Sequence, residues 1–406
     1  MYSDDRPAAP GRLLRRPVVV TGAAVALLLV LGLAGVAALT SNDEPATPLW
    51  RAGPLATPEA PTPSPTGSPS PAAPRAITLS ATGDIIMGDA PGRLPPGGGK
   101  GFFNEVRRAL AADLVMGNLE QPLTDDTGYR KCRPAPAPSP GDKPKRSGCH
   151  QFRVPPEYAG HLRDAGFELL NQANNHGNDF GPAGYRNTQQ ALERYDLRHT
   201  GAPDQVTVVT VEGVRVAVVG FSSYPWSNSL TDIDSARRVV ENAAGQADLV
   251  VVQVHMGAEG LGRTRVKPGT ETFLGENRGD PVRFSHAVIE AGADLVVGHG
   301  PHVLRALEFH RGRLIAYSLG NFAGGEGTLS NDGRLGWGGV LKVSLRPDGT
   351  FASGQFVATY LNGAGRPLVD SRKRGLELVR DLGRSDFPST GARLDAAGAI
   401  TQPGPA

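Results

Sequence analysis

Asp, Glu, Asn and His are the side chains that hold divalent ions and move protons near neutral pH. In this sequence they follow directly on short apolar runs rich in β-branched residues. The run 77–81 leads into Gly83-Asp84, and 113–116 leads into Gly117-Asn118-Leu119-Glu120. The run 167–170 leads into Asn171-Gln172-Ala173-Asn174-Asn175-His176, and 249–254 into His255-Met256-Gly257-Ala258-Glu259. Two further runs, 295–297 and 314–317, are followed by Gly298-His299-Gly300-Pro301-His302 and by Ser318-Leu319-Gly320-Asn321. Open α/β sheets bind ligands at the carboxyl ends of their strands. If these runs are parallel strands, one edge gathers Asp84, Glu120, Asn175, His176, His255, His299 and His302. A mixed oxygen and nitrogen set of that kind suits one or two divalent ions such as Mn, Fe or Zn. Asp84, His255 and at least one of His299 and His302 read as ligands, and Glu120 as a ligand or a base. His176 reads as the donor of a proton to a leaving group. Asn118, Glu259 and Asn321 read as supporting residues. Blander roles stand beside these: a capping aspartate at 84, a surface ion pair at 120, an Asx-turn at 175 and a hydrogen-bonded core histidine at 255.

Helices must lie between such strands to hold them. Amphipathic segments near 102–112, 156–165, 182–195, 234–244 and 281–291 supply them, and 206–211, 214–221 and 340–345 read as further strands. Glu212-Gly213 sits where a hairpin turn is expected. The phrases LAADLV, DAGFELL, GQADLV and AGADLV recur at helix-to-strand junctions, as repeated βα units require. The expectation is an α/β domain with mixed sheets over 76–365. After it comes an extension, 366–406, with one helix at 371–382 and then a disordered Pro/Gly end.

Taken together, the phrases ATGDIIMGD, GNLEQPL, NQANNHGNDFG, VVQVHMGAE, VVGHGPHVLRALE and IAYSLGNF resemble the CapA family of capsule and poly-γ-glutamate synthesis proteins. They span about 76–325 in that family's order. The resemblance implies a fold related to calcineurin-like metallophosphatases, a four-layer α-β-β-α sandwich, and makes Asn175 a neutral oxygen ligand. That fold's Asn-His pair, lone His and Gly-His motif correspond to Asn175-His176, His255 and Gly298-His299 with His302. Its opening Asp-x-His is not reproduced, because Ile85-Ile86 follow Asp84. Its Gly-Asp motif becomes Gly117-Asn118, with Glu120 two positions on. The resemblance, with these departures, implies one firmly held ion and a weaker second. Two functions remain open. One is a metal-dependent hydrolase acting on a phosphoester or γ-glutamyl amide of an envelope polymer or its precursor. The other is a non-catalytic subunit that works with membrane-bound synthase subunits in polymer assembly or export.

Residues 17–40 carry no charge, while Arg12, Arg15 and Arg16 precede them and Asp43 and Glu44 follow. An apolar helix of about 20 residues spans a bilayer. The flanking charges orient it with 1–16 in the cytoplasm and the rest outside. A cleaved signal peptide is the alternative, and it too exports the chain. Residues 41–75 form a Pro/Ser/Thr-rich linker that cannot bury a core. Cys132 and Cys149 are the only cysteines. Outside the cell they are expected to close a disulfide around the insertion 132–149, a two-thiolate metal site being the sharper alternative. With 42 Lys and Arg against 40 Asp and Glu, the charge gives no basis for nucleic-acid binding. Three tryptophans are few for a wall-binding module.

Overall fold

The computed structural model of the chain describes residues 75–132 and 149–404. The expected cytoplasmic tail 1–16, membrane helix 17–40 and nearly all of the linker 41–75 lie outside the described residues, as does 133–148 of the insertion. Among the described residues no helix is long and apolar enough to cross a membrane.

The β-branched runs build two mixed sheets. In the larger, Ile77–Ile86, Leu114–Leu119, Leu169–Asn171 and Arg198–Thr200 run parallel in that spatial order. Trp337–Leu345 and Phe351–Leu361 extend it antiparallel on the other side of Ile77–Ile86. In the smaller, Val214–Ser222, Leu249–His255, Leu295–His299 and Arg313–Ala316 run parallel. Antiparallel Thr207–Val211 and Leu307–His310 close its two edges.

Strands covered on both faces send alternate residues into different cores, which is why they read as continuous apolar runs. Leu79, Leu114 and Met116 of the larger sheet meet Val216, Val218 and Val251 of the smaller one in the central core. Val115 and Leu170 face outward onto Ala159–Ala165 and Gly181–Arg194. Ala217, Val219, Val250 and Val252 face outward onto Ile233–Ala244 and Pro281–Glu290. Those last two helices start where the Asp232 and Asp280 side chains accept from the backbone N–H groups of Ser235 and Arg283, the usual N-cap arrangement.

Two expectations need correction. The segment 102–112 holds only a short helix, Arg107–Leu110, because Phe102 and Phe103 turn inward and are buried. The C-terminal stretch does not end in disorder after its helix, which runs Arg374–Asp386. Arg393–Leu394 pairs with Ala399–Thr401, which in turn pairs with Phe351–Leu361. Buried Leu394 and Ile400 anchor this hairpin in the central core. An isolated two-residue strand carries no periodicity to announce itself, whereas a sheet edge and an apolar groove stabilise it in context.

Ile77–Ile86 also departs from regularity, with register shifts on either side of Asp84. There the strand lies against the turn at Gly320: the Asp84 N–H donates to the Gly320 carbonyl at 3.0 Å. A Cβ at Gly83 would stand 1.8 Å from that same carbonyl oxygen. Gly83→Ala is therefore expected to lower stability by roughly 1–3 kcal/mol, the range for overpacking a well-packed site. A urea midpoint displaced downward with an unchanged slope checks it; an unchanged midpoint contradicts the packing described.

Candidate metal centre

The carboxyl ends of the two parallel sets face each other. Asp84 and Asn118 stand side by side on adjacent strands, with Asn171 next in register. His255 and His299 are register partners on the opposing sheet. Across the gap, His299 Nδ1 lies 4.0 Å from Asp84 Oδ1, and His255 Nδ1 lies 3.9 Å from Glu120 Oε1. His302 follows two residues after a turn at Gly300, whose φ is +105°. It reaches Asp84 Oδ2 at 3.2 Å through Nδ1 and Glu120 Oε1 at 3.7 Å through Nε2. A side chain at Gly300 would put its Cβ 2.8 Å from His255 Nε2, so this turn leaves the imidazole its space. Ligand atoms of Asp84, Glu120 and His302 all lie within 4.8 Å of one another.

Each group has a definite support. Asn118 Nδ2 donates to Asp84 Oδ1 at 2.8 Å, and its own Oδ1 accepts from Asn171 and Asn174, each at 3.0 Å. Asn118 therefore positions Asp84 and has no free oxygen for an ion. Asn321 Oδ1 faces His302 Nδ1 at 2.8 Å, which places the proton on Nδ1 and leaves Nε2 toward Glu120. Gln253 Oε1 takes the Nε2 proton of His299 at 3.2 Å, so His299 Nδ1 presents a lone pair. At His255 the pattern is reversed. Arg278 Nη1, which only donates, lies 3.1 Å from His255 Nε2, so the ring proton sits on Nδ1. His255 becomes a ligand only where Arg278 withdraws, which qualifies its expected role. Arg278 is itself buried, paired to Glu259 at 2.6 Å and Glu276 at 3.1 Å, between the rings of Tyr224 and Phe273. Glu259 thus belongs chiefly to Arg278, its other oxygen lying 3.8 Å from His302 Nε2.

Burial sets the electrostatics. It pushes Glu120 well above the usual carboxylate range, and the neighbouring Asp84 charge adds to this. At Asp84 burial acts the same way, but the hydrogen bond and charge of His302, with His299 and Asn118, hold it below its ordinary value. Burial works against charge on His302 too, yet Glu120, Asp84 and Glu259 raise it well above an ordinary histidine. Burial pushes His299 down to about 4 against the pull of Asp84. Burial and then Arg278 hold His255 neutral.

Buried polar atoms are ordinarily paired. Both oxygens of Glu120, Asn175 Oδ1, His255 Nδ1 and His299 Nδ1 are buried with no hydrogen-bond partner. Glu120 and His299 Nδ1 lie close to Asp84, and carboxylates with an imidazole lone pair are donor types that divalent cations take. Binding would displace the protons on Glu120 and His302.

His176 stands to one side of this centre. Its Nδ1 lies 2.7 Å from Asp179 Oδ2, so the proton is on Nδ1 and Nε2 is the acceptor. Burial lowers its pKa, with Asp179 opposing. The resting ring is therefore neutral, and it must take up a proton before it can give one, which refines the expected donor role. It lines a cleft of about 440 Å³ together with Lys131, Asn175, Tyr224, Trp226 and Arg278. Trp226 Nε1 donates to the Asn174 carbonyl at 2.9 Å and ties the cleft wall to the Asn175-His176 loop. Cys132 and Cys149 are joined in a disulfide. Sequence patterning missed Arg278, Gln253 and Lys131. Asp179 was visible three residues beyond His176, whereas nothing around Arg278 distinguishes it from a surface hairpin arginine.

Residues 78–326 match the family described as bacterial capsule synthesis protein PGA_cap. The capsule biosynthesis protein CapA of Bacillus anthracis is 28% identical over 338 residues, covering 76% of this chain and 74% of that protein. The PGA biosynthesis protein CapA of Bacillus subtilis (strain 168) is 28% identical over 329 residues, covering 75% and 77%. Among solved structures, a putative 5'-nucleotidase from Staphylococcus aureus is similar with 16% identity and a TM-score of 0.39. That likeness covers 76% of this chain and 58% of the other.

Glu120 yields a pH-dependent prediction. Its folded pKa is raised above the ordinary 4.5, so the folded state keeps a proton that the unfolded state releases. Its contribution to stability is therefore complete below 4.5 and lost as pH rises toward the folded value. Glu120→Gln should accordingly melt several degrees higher than the wild type at neutral pH in the presence of chelator. The difference should shrink to nothing as pH falls below the ordinary carboxylate value. Thermal unfolding across pH checks this, and a lower melting temperature for the variant at neutral pH contradicts it.

Proposed function

The chain belongs to the bacterial capsule synthesis protein family PGA_cap, and from that premise we propose that it synthesises or processes a capsule or poly-γ-glutamate-type envelope polymer through a divalent-metal hydrolytic site. In this reading residues 17–40 anchor the chain, the linker 41–75 lifts the domain off the membrane, and the domain works outside the cell beside membrane-bound synthase subunits. The helix–sheet–sheet–helix order supports the metallophosphatase-like sandwich that the sequence motifs suggest.

What carries the hydrolytic reading is the pair of unpartnered buried groups beside Asp84, the Glu120 carboxyl and His299 Nδ1. Asp84, Glu120, His299 and His302 would hold the ion, with Asn175 contributing an oxygen. When bound, the ion lowers the pKa of a coordinated water and polarises the scissile oxygen. Asn118 keeps the Asp84 carboxylate turned inward. Gln253 fixes the His299 tautomer, the support that ligand histidines ordinarily have. His176 exchanges a proton at Nε2 with the leaving group, its ring held by Asp179. The substrate is a phosphoester or a γ-glutamyl amide of the polymer or its precursor.

One observation favours the non-catalytic reading. Arg278 caps His255 and so withholds one imidazole from the centre. A site restricted in this way also suits a structural ion in a polymer-assembly subunit.

Elemental analysis and turnover on p-nitrophenyl phosphate and poly-γ-glutamate separate the two. For a hydrolase, bound divalent metal and turnover are both expected in the wild type. Asp84→Asn and His299→Ala should each weaken metal binding by more than the roughly 10–100-fold lost when a group supporting a ligand is removed, and abolish turnover. Metal without turnover on any substrate supports the assembly subunit, and protein that binds no divalent ion refutes the centre.

A further inference from the structure

Asp179 is fully buried, and three separate segments converge on it. His176 meets Oδ2 at 2.7 Å. The backbone N–H of Phe152 donates to the same oxygen at 2.9 Å. Lys131 Nζ donates to Oδ1 at 2.5 Å and to the Asn175 carbonyl at 3.0 Å. The Phe152 ring also packs on His176, with centroids 4.8 Å apart. Lys131 immediately precedes Cys132, and Phe152 lies three residues after Cys149, so the disulfide joins the two segments that grip Asp179. Gln151 completes the junction: its Oε1 accepts from the Cys132 N–H, and its Nε2 donates to the Tyr129 carbonyl, both at 3.4 Å.

We propose that the Cys132–Cys149 disulfide is a clasp on the Asn175–Asp179 loop, holding Lys131 and Phe152 against Asp179 so that Asp179 can fix the His176 ring. Lys131 and Phe152 are positioning residues that act through Asp179. The consequence for turnover rests on the hydrolytic reading above; the clasp itself does not. Opening it takes two electrons and two protons. A dithiol such as dithiothreitol supplies them, leaving two protein thiols and its own cyclic disulfide.

Coupling between two sites is reciprocal. If the closed disulfide favours the Lys131–Asp179 contact, that contact must favour the closed disulfide equally. The test is the equilibrium constant for reduction of the intact protein in mixtures of reduced and oxidised dithiothreitol, followed by thiol alkylation. Lys131→Met should raise that constant about tenfold, within the 5–150-fold usual for coupled sites. Lys131→Arg should restore it, and exposed Lys100→Met should leave it at the wild-type value. Equal constants for the wild type and Lys131→Met overturn the clasp, whether or not the protein is an enzyme. Where turnover is present, reduction should slow the wild type but not slow Lys131→Met further, at unchanged metal content. Additive losses would overturn the proposal. Shifted constants without turnover in any form support the clasp and count against the hydrolytic reading alone.

Discussion

Two carboxylates are buried at the meeting edge of two sheets, and most of what surrounds them serves to make that tolerable. Asp84 and Glu120 are fully shielded from water. An uncompensated charge in such a place is among the most destabilising features a fold can carry. The protein's own groups answer it in part. Asp84 takes an amide hydrogen bond and an ion pair with His302, while Glu120 is pushed toward its neutral form and left without partners. A dication bound between them would complete the compensation for both at once. The proposed ion would supply the charge that the site's own side chains do not.

The scaffold converts strand order into that arrangement. Two sets of parallel strands, packed on a shared apolar core, put their carboxyl ends on the same side. Close backbone approach then sharpens the placement. The strand carrying Asp84 lies against the Gly320 turn, and the Gly300 turn leaves room for His255 while carrying His302 back over both carboxylates. Behind the donors stands a layer of amides, Asn118, Asn171, Asn174, Gln253 and Asn321, that fixes orientations and tautomers. Arg278 enters this layer from a separate hairpin and is the one cation among them that never gives up its proton.

Much of this was legible beforehand because it follows from local rules. Apolar runs ending in polar residues predicted the parallel strands, and the C-terminal edges of those strands hold the expected Asp84, Glu120, Asn175, His176, His255, His299 and His302. The motif phrases anticipated the family over a segment close to the one that matches. What could not be read depends on contacts distant in sequence. The imidazole of His255 looked like a ligand because its sequence neighbours were apolar; only folding brings Arg278, 23 residues away, onto its Nε2. Asn118 was expected as a supporting residue, but the partners that occupy its oxygen, Asn171 and Asn174, are brought to it only by folding. The C-terminal hairpin escaped notice because its pairs are only a few residues long and owe their stability to the edge they join.

The most direct test of the central claim is anomalous diffraction from crystals grown with zinc, recorded on both sides of the zinc edge. The expected result is a peak bonded to Asp84 and Glu120 and to at least one of His299 and His302. Crystals that diffract well and bind zinc elsewhere, with no anomalous density between those carboxylates, would contradict it.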